Sequence, residues 1–430
     1  MSTPRSEDRR LPVRPNLAQL SNQAKDLLRA IRRDDPPAVA EFELSHPDGL
    51  KLLSNPPAIK LADAQLALAR SYGAPGWQRL VQACKLVDAI WRDDLEAVKE
   101  IVGQNPHLIH ESALITDRNW GPPMSYAANL GRNEIIRFLH SRGATDLEHA
   151  AGRAALQSHP ETVRLIYDLA GRPSLENWSL AGPAYTLSVA GTAVLFTLGA
   201  QIVRPDGVDR NAMEHLLGSD SRNPNAKHRI LEMYVEHGFD PPDTPVMAFH
   251  RGRIDLLETQ LTRDPQLLTR TFDITEVYPL APACAQHPHT AQGTPVHGTT
   301  LLHLAAYFDE IEIAEWLLDR GMDPNVRAAT DPDGFGGYTA LYSTVVSQHN
   351  FWVNYGKGRP DDARFTRLLL DRGASVNIRA SIRAGREGGH GGGPLREYRD
   401  VTPLGWGEQY DEKIFVSRES LRLLREHGGG

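Results

Sequence analysis

The residues best suited to chemistry lie in the segment ATDPDGFGG, in the C-terminal third of the chain. Asp331 and Asp333 stand beside glycines and just before Tyr338. Two carboxylates near an aromatic side chain could transfer a proton or bind a cation. Asp-Pro-Asp-Gly is also an ordinary turn sequence, and the later ligands of a calcium loop are missing. Asp331 and Asp333 are therefore candidate catalytic residues within an expected turn.

A second group that could do chemistry is rich in histidine. The side chains that could bind zinc here are Cys284, His287, His289, His297 and His303. Their spacing matches no standard zinc motif, and no aspartate or glutamate lies between residues 281 and 302. We expect a structural or surface loop with no bound metal and no other cofactor. Were a metal bound, His287, His289 and His297 would be its ligands.

Two glycine-rich stretches, residues 355–360 and 385–394, have the glycine content of a phosphate-binding loop. Such a loop needs Gly-Lys-Ser/Thr between a strand and a helix, and neither stretch has that order. We expect both to be flexible linkers. No Gly-X-Ser-X-Gly elbow occurs either, so a hydrolase would have no nucleophile that we can name.

The elements that position these residues repeat along the chain. The clearest copy, residues 300–325, has a helix of small residues, a polar turn, a leucine-rich helix and a loop that ends in asparagine. We count about ten such units. The other copies, most of them weaker, cover residues 61–81, 86–102, 124–144, 149–171, 184–200, 227–238, 244–261, 339–377 and 402–428. Glycines 143, 321, 373 and 428 follow second helices, where a left-handed cap is expected.

The repeats resemble ankyrin repeats. The family's Thr-Pro-Leu-His-X-Ala start and Gly-Ala-Asp-X-Asn close are matched at Thr300, Leu302, His303, Ala305, Gly321, Asp323, Asn325, Gly373, Ala374, Val376, Asn377, Thr402, Pro403 and Leu404. The resemblance implies an all-α solenoid whose concave face binds proteins, with His303 bonded to a neighbouring backbone. Residues 61–80 are similar to a segment that precedes ankyrin repeats in uncharacterised bacterial proteins, which implies a bacterial source.

Insertions interrupt the repeats in the C-terminal half. Thr244 and Thr300 are 56 residues apart, and Thr339 and Thr402 are 63 apart, whereas an ankyrin unit has about 33 residues. Long loops in a compact array are usually functional or disordered. We expect an N-terminal segment and helical cap at 1–56, degenerate repeats at 57–270, and better-matching repeats with long insertions at 271–430, within one continuous solenoid.

Aromatic residues gather in these insertions. Candidate binding residues are Phe335, Tyr338, Tyr342, Phe351, Trp352, Tyr355 and Trp406. Aromatic side chains in loops give large contact areas at low entropic cost. The alternative is that they pack the enlarged loops onto the solenoid as small satellite cores.

Composition narrows the function. The net charge of −7 argues against nucleic acid, and two cysteines exclude a disulfide framework. No apolar run is long enough to span a membrane, so we expect a cytoplasmic protein. The favoured function is a protein-binding scaffold that uses its concave face and C-terminal aromatic loops. The alternative is a small-molecule-binding protein or atypical enzyme with a pocket formed by the insertions at 331–410.

Overall fold

The computed structural model describes residues 11–114, 120–219, 222–286, 293–347, 362–386 and 395–430. The chain divides into two compact units, one extending to Pro173 and the other running from Ser174 to Gly430. The predicted boundary after residue 56 lies inside the first unit, and the one after residue 270 lies inside the second.

The described part of the first unit consists of short helices in antiparallel pairs. Helix α1 packs on α2 and α4, α5 on α6, α7 on α8 and α9, and α9 on α10. Their bounds are α1 Leu17–Arg32, α2 Pro36–Ser45, α3 Gly49–Leu53, α4 Leu61–Ser71, α5 Trp77–Trp91, α6 Leu95–Gln104, α7 Pro123–Asn129, α8 Asn133–Ser141, α9 Leu147–Leu156 and α10 Pro160–Leu169.

The second unit continues with helix pairs and adds two β-hairpins. Its helices are α11 Ala181–Tyr185, α12 Val189–Thr197, α13 Arg210–Leu217, α14 Pro224–Glu236, α15 Pro245–His250, α16 Ile254–Arg263, α17 Ile274–Val277, α18 Pro282–Ala285, α19 Leu301–Phe308, α20 Ile311–Asp319, α21 Ala340–Val345, α22 Arg364–Asp371, α23 Pro403–Gln409 and α24 Arg418–Glu426. Its strands are β1 Val203–Arg204, β2 Gly207–Val208, β3 Ala380–Arg386 and β4 Leu395–Val401.

Two backbone conformations recur in the helix pairs. The turn between first and second helix contains a residue with φ between 55° and 68°, at Asp34, Asp93, Gly131, Ser158, Leu187, Gly252 and Asp309. The predicted caps after second helices are confirmed, since Gly143, Gly321, Gly373 and Gly428 have φ of 100°, 87°, 89° and 79°. Glycine is preferred there because a side chain strains this left-handed conformation.

Asparagine side chains link successive repeats of the second unit. Asn325 donates through Nδ2 to the Gly373 carbonyl (3.1 Å) and accepts from the Ser375 amide (2.7 Å). Asn377 repeats this pattern with the Gly428 carbonyl and the Gly430 amide, both at 3.1 Å. The partners lie 48 to 53 residues away in sequence, beyond the ankyrin period of about 33. The same pair of asparagine contacts therefore recurs after α20 and after α22.

The prediction of an all-α chain is wrong at residues 380–401. Strands β3 and β4 form a two-stranded antiparallel ribbon in which Ile382 faces Tyr398 and Ala380 faces Val401. These four residues are buried, and in β3 the buried Ala380 and Ile382 alternate with residues 381 and 383, which are partly exposed. This alternation is the pattern of a half-buried strand, although a loop was expected here. Gly385, assigned to a flexible linker, belongs to β3; residues 387–394 lie outside the described residues.

Candidate functional site

The Asp-Pro-Asp-Gly segment forms the tight tip of a hairpin that spans residues 328–338. Asp331 Oδ1 accepts hydrogen bonds from the backbone amides of Asp333 (3.0 Å) and Phe335 (2.8 Å). The Asp331 amide donates to the Phe335 carbonyl at 2.7 Å, and Thr330 pairs with Gly336 across the hairpin. Asp331 therefore holds the turn with its own side chain, as aspartate commonly does.

The hairpin lies directly on the β3–β4 ribbon. The Gly336 amide donates to the Ser381 carbonyl at 2.7 Å. Arg327 donates to the Gly337 carbonyl (2.7 Å) and to the Arg379 carbonyl (2.5 Å). Only glycine fits at position 336, because φ is 125° and an added Cβ would lie 2.0 Å from the Ala329 carbonyl oxygen. The Gly336–Ser381 backbone hydrogen bond and the Arg327 side chain thus join hairpin and ribbon into one surface. We call residues 328–338, 380–386 and 395–401 the hairpin surface.

The candidate catalytic carboxylates are paired with an arginine of the ribbon. Arg383 Nη1 lies 3.3 Å from Asp331 Oδ2 and 3.0 Å from Asp333 Oδ2. Its Nε donates to Glu397 at 3.1 Å. The Arg383 guanidinium also lies 3.8 Å from the centroid of the Phe335 ring. These contacts explain both carboxylates as charge partners of Arg383, and the catalytic hypothesis for them stays a prediction.

A cleft of about 490 Å³ opens beside this ion-pair group. Its apolar walls are Ile274, Pro295, Phe335, Tyr338 and Ile382, and its polar residues include Asp273, His297, Thr330, Asp331 and Arg383. Asp273 is the N-cap of α17, and hydrogen bonds from the Thr275 backbone and hydroxyl lower the pKa of its carboxyl. The His297 ring lies 3.5 Å from Asp273.

The histidine-rich stretch does not gather into a metal site in the described part of the chain. His297 meets Asp273, and Cys284 Sγ donates to the Glu214 carbonyl at 3.4 Å. His287 and His289 lie outside the described residues. Among the residues that the structure describes, no three His, Cys, Asp or Glu side chains lie close enough together to hold a metal ion.

His303 has the structural role that the resemblance implied. Its Nδ1 bonds the Thr300 hydroxyl and its Nε2 donates to the Tyr338 carbonyl, both at 2.9 Å. Burial lowers the pKa of this imidazole to about 4, so the ring is neutral at neutral pH. The prediction that His303 bonds a neighbouring backbone is confirmed.

The four described candidate aromatic residues are buried. Phe335 and Tyr338 are 5% and 3% exposed, and Tyr342 and Trp406 are 0% exposed. The Trp406 ring packs 4.8 Å from Tyr398, centroid to centroid. They are packed inside this region, as the satellite-core interpretation expected, and offer a partner little area. Phe351, Trp352 and Tyr355 lie outside the described residues.

A buried charged cluster in the second unit was not predicted from the sequence. Lys227 Nζ lies 3.3 Å from both Glu310 Oε1 and His250 Nδ1, and all three residues are buried. Burial lowers the pKa of Lys227 while Glu310 opposes that shift, and burial lowers the pKa of His250. A signal was present in the sequence. Lys227 precedes Ile230, Leu231 and Tyr234 at spacings of three, four and seven, so it lies on the apolar face of α14.

The structure thus belongs to the class of helix–turn–helix repeat proteins, with the hairpin surface and its cleft in the second unit. Residues 297–329 match the family model described as the ankyrin repeat. The chain therefore contains an ankyrin repeat, formed by α19, α20 and the loop that leads into the hairpin.

Two solved ankyrin repeat domains are similar to this chain at low sequence identity. The human ASB11 ankyrin repeat domain is 12% identical, covering 70% of this chain and 97% of its own, with a TM-score of 0.26. The ankyrin repeat domain of Bcl-3 is 15% identical, covering 79% of this chain and 97% of its own, with a TM-score of 0.20. No curated protein matches the chain. Among the described residues, no helix is both long and apolar enough to cross a membrane.

Proposed function

We propose that this protein is a protein-binding scaffold whose contact area is the hairpin surface. The ankyrin repeat at 297–329 supports binding, since such repeats are protein-interaction modules. A stack of repeats presents loops and first helices on one extended face, and the partner is read by side chains carried there. The hairpin at 328–338 follows this repeat directly, at the position where such a loop projects.

The observation that carries this proposal is a set of exposed charges fixed on hydrogen-bonded backbone. The side chains of Asp333, Arg399 and Asp400 are 68%, 60% and 77% exposed. Beneath them the aromatic residues are buried and the strands are joined by backbone bonds. A rigid framework that carries exposed polar groups lowers the entropy lost on binding.

Two further contributions complete the proposed surface. The concave face of the first helices extends the contact area along the array. Phe351, Trp352 and Tyr355 act as aromatic anchors, because aromatic residues dominate the energetics of protein interfaces. The family match gives no support to the alternative of a small-molecule protein or atypical enzyme built from residues 331–410, and that alternative stays a prediction.

Site-specific crosslinking tests the proposed surface. The photoreactive amino acid p-benzoylphenylalanine replaces Asp333 at the tip of the 328–338 hairpin or, as a matched control, Asp206 at the exposed tip of the β1–β2 hairpin. We expect one protein to crosslink in cells from position 333 and not from position 206, and to copurify reciprocally. Equal crosslinking from both positions, or none from position 333, would overturn the proposed surface.

A deletion separates the aromatic anchors from the hairpin surface. Removal of residues 348–361 takes out Phe351, Trp352 and Tyr355 while keeping the hairpin and the ribbon. We expect the partner that crosslinks at position 333 to be retained with at least tenfold lower affinity, a loss typical of aromatic hot spots. Unchanged affinity would remove the loop from the proposed interface.

A further inference from the structure

The cleft beside Arg383 joins apolar walls to an acidic rim. Ile274, Pro295 and Ile382 supply apolar wall area, and Asp273 and Asp331 stand on the rim with side chains 52% and 38% exposed. Its volume of about 490 Å³ is within the range of specific ligand pockets, roughly 300 to 1,000 Å³. An occupant must therefore be apolar along its length and polar at its end.

The charges around the cleft determine whether the polar end of an occupant should be positively or negatively charged. Among the charged residues that line the cleft, Asp273 and Asp331 carry carboxylates and Arg383 carries the guanidinium group, so the carboxylates outnumber the guanidinium groups by one. The neighbouring Arg270–Glu276 pair is neutral overall, and Arg327 lines a separate cavity.

The existing ion pairs disfavour an anionic occupant. Arg383 already meets three carboxylates, and one face of its guanidinium lies on Phe335. An incoming carboxylate or phosphate would meet the acidic rim before it reached this arginine, at a like-charge cost. A purely apolar occupant would remove water from the partly exposed carboxylates of Asp273 and Asp331 and would add no polar contact in return, which is also unfavourable.

We propose that the cleft receives a lysine or arginine side chain of the protein partner. The aliphatic stem packs against Ile274, Pro295 and Ile382, and the cationic head lies between Asp273 and Asp331. Lysine and arginine combine an apolar stem with a charged end, which is the distribution of polarity that the cleft presents. This inference rests on the proposed protein-binding function and specifies the chemistry that the partner supplies.

Four pentapeptide amides test this specificity on the full chain. They differ only in the central residue, which is lysine, arginine, norleucine or glutamate between glycines. Binding is followed by NMR of a ¹³C-histidine-labelled sample, with the His297 ring resonance assigned through a His297→Gln variant. We expect the lysine and arginine peptides to shift the His297 signal saturably, with dissociation constants at least tenfold lower than those of the other two.

Two variants locate the binding without removing the turns. Asp331→Asn and Asp273→Asn each keep an amide oxygen that can accept the backbone hydrogen bonds of the native carboxylate. Each variant should lower the affinity for the lysine and arginine peptides by about tenfold, as expected for loss of a charge-assisted contact. The matched control Asp206→Asn, at the tip of the other hairpin, should leave binding unchanged.

Several outcomes overturn the inference. Equal binding of the norleucine peptide would mean a merely apolar cleft, and preference for glutamate would mean an anion site. Absence of any shift at His297 with the basic peptides would remove the site. If a partner crosslinks at position 333 while the basic peptides show no preference, the proposed function stands and this inference fails. Preference for basic peptides without a crosslinked partner would keep the cleft's specificity and remove the proposed function.

Discussion

Two successive helix pairs of the second unit differ in length: α19 and α20 form a regular repeat, and α21 and α22 form an expanded one. In the regular repeat, α19 and α20 are separated by the single turn at Asp309–Glu310, and all eight residues of α19 are buried. In the expanded repeat, α21 ends at Val345 and α22 begins at Arg364. The β3–β4 ribbon follows before the next first helix. The surplus residues are therefore added between the packed helices, and the packing of the helices is kept.

The third residue after the threonine that precedes the first helix bonds backbone carbonyls in both repeats. His303 stands three residues after Thr300, and Tyr342 stands three residues after Thr339. His303 donates to one backbone carbonyl, at Tyr338. The Tyr342 hydroxyl contacts two carbonyls, at Ile378 (2.7 Å) and Val401 (2.6 Å), which both lie at the open end of the ribbon, where the chain enters β3 and leaves β4. The longer tyrosine side chain thus connects α21 to the two strands where the ribbon begins and ends.

The largest predicted effect tests whether the expanded region has a core comparable to that of the regular repeat. Trp406 is fully buried against Tyr398 and Tyr410. Trp406→Ala should lower the free energy of unfolding by about 3–5 kcal/mol, measured by guanidinium denaturation. Leu317→Ala, at a fully buried position of α20, is the control and should cost about 2–5 kcal/mol. A loss below about 1 kcal/mol at Trp406 would contradict the packing role of these aromatics.

The second prediction concerns pH, because the regular repeat has a buried histidine at the position where the expanded repeat has Tyr342. Burial lowers the pKa of His303 from 6.5 to about 4, so the folded chain binds fewer protons than the unfolded chain as the pH falls through this window. Stability supplied by the neutral ring is present above pH 6.5 and is lost progressively down to about pH 4. The expected loss is on the order of 3 kcal/mol, at about 1.4 kcal/mol per unit of pKa shift.

The measurement compares unfolding of the wild type and of His303→Gln across this pH range, which cancels the contributions of other histidines. The wild type should lose more stability than the variant as the pH falls. The Tyr342→Phe variant should keep the wild-type slope, because burial raises the pKa of Tyr342 far above the window. Parallel curves for wild type and His303→Gln would contradict the assignment.

The regular repeat could be predicted from the sequence because its signals are local. The cap at Gly321 and the polar turn before α20 follow from spacings of a few residues. The Asp-Pro-Asp-Gly turn was predicted for the same reason, since Asp331 bonds amides only two and four residues away. The His303 bond spans 35 residues, and it was implied by the resemblance to ankyrin repeats rather than by a local spacing.

The expanded region depends on contacts across long sequence separations, which no local pattern contains. Arg383 meets Asp331 across 52 residues, and Tyr342 meets Val401 across 59. The ribbon was missed because its glycine-rich connection dominated the interpretation of residues 378–400, although Ile382 and Ala384 alternate with polar residues. Lys227 and Glu310 pair across 83 positions of the sequence. The only local indication of the buried cluster was therefore a lysine on the apolar face of a helix.

A smaller effect tests the tie at the base of the ribbon. Tyr342→Phe removes the hydroxyl that contacts the carbonyls of Ile378 and Val401, and should lower the free energy of unfolding by about 1–3 kcal/mol. Amide hydrogen exchange should accelerate in β3 and β4 and stay unchanged in α20. Tyr338→Phe is the matched control, because its hydroxyl contacts the Pro295 carbonyl instead. Unchanged exchange in the ribbon would show that Tyr342 does not hold it.

The smallest predicted effect asks whether position in the array matters when the local bonds are the same. Asn325 and Asn377 each make two exposed hydrogen bonds, Asn325 to Gly373 and Ser375 and Asn377 to Gly428 and Gly430. Asn325→Ala and Asn377→Ala should each cost about 1 kcal/mol in urea unfolding, because each removes two bonds of the same kind. A loss at one position that is less than half of the loss at the other would show that position changes the contribution of the same bonds.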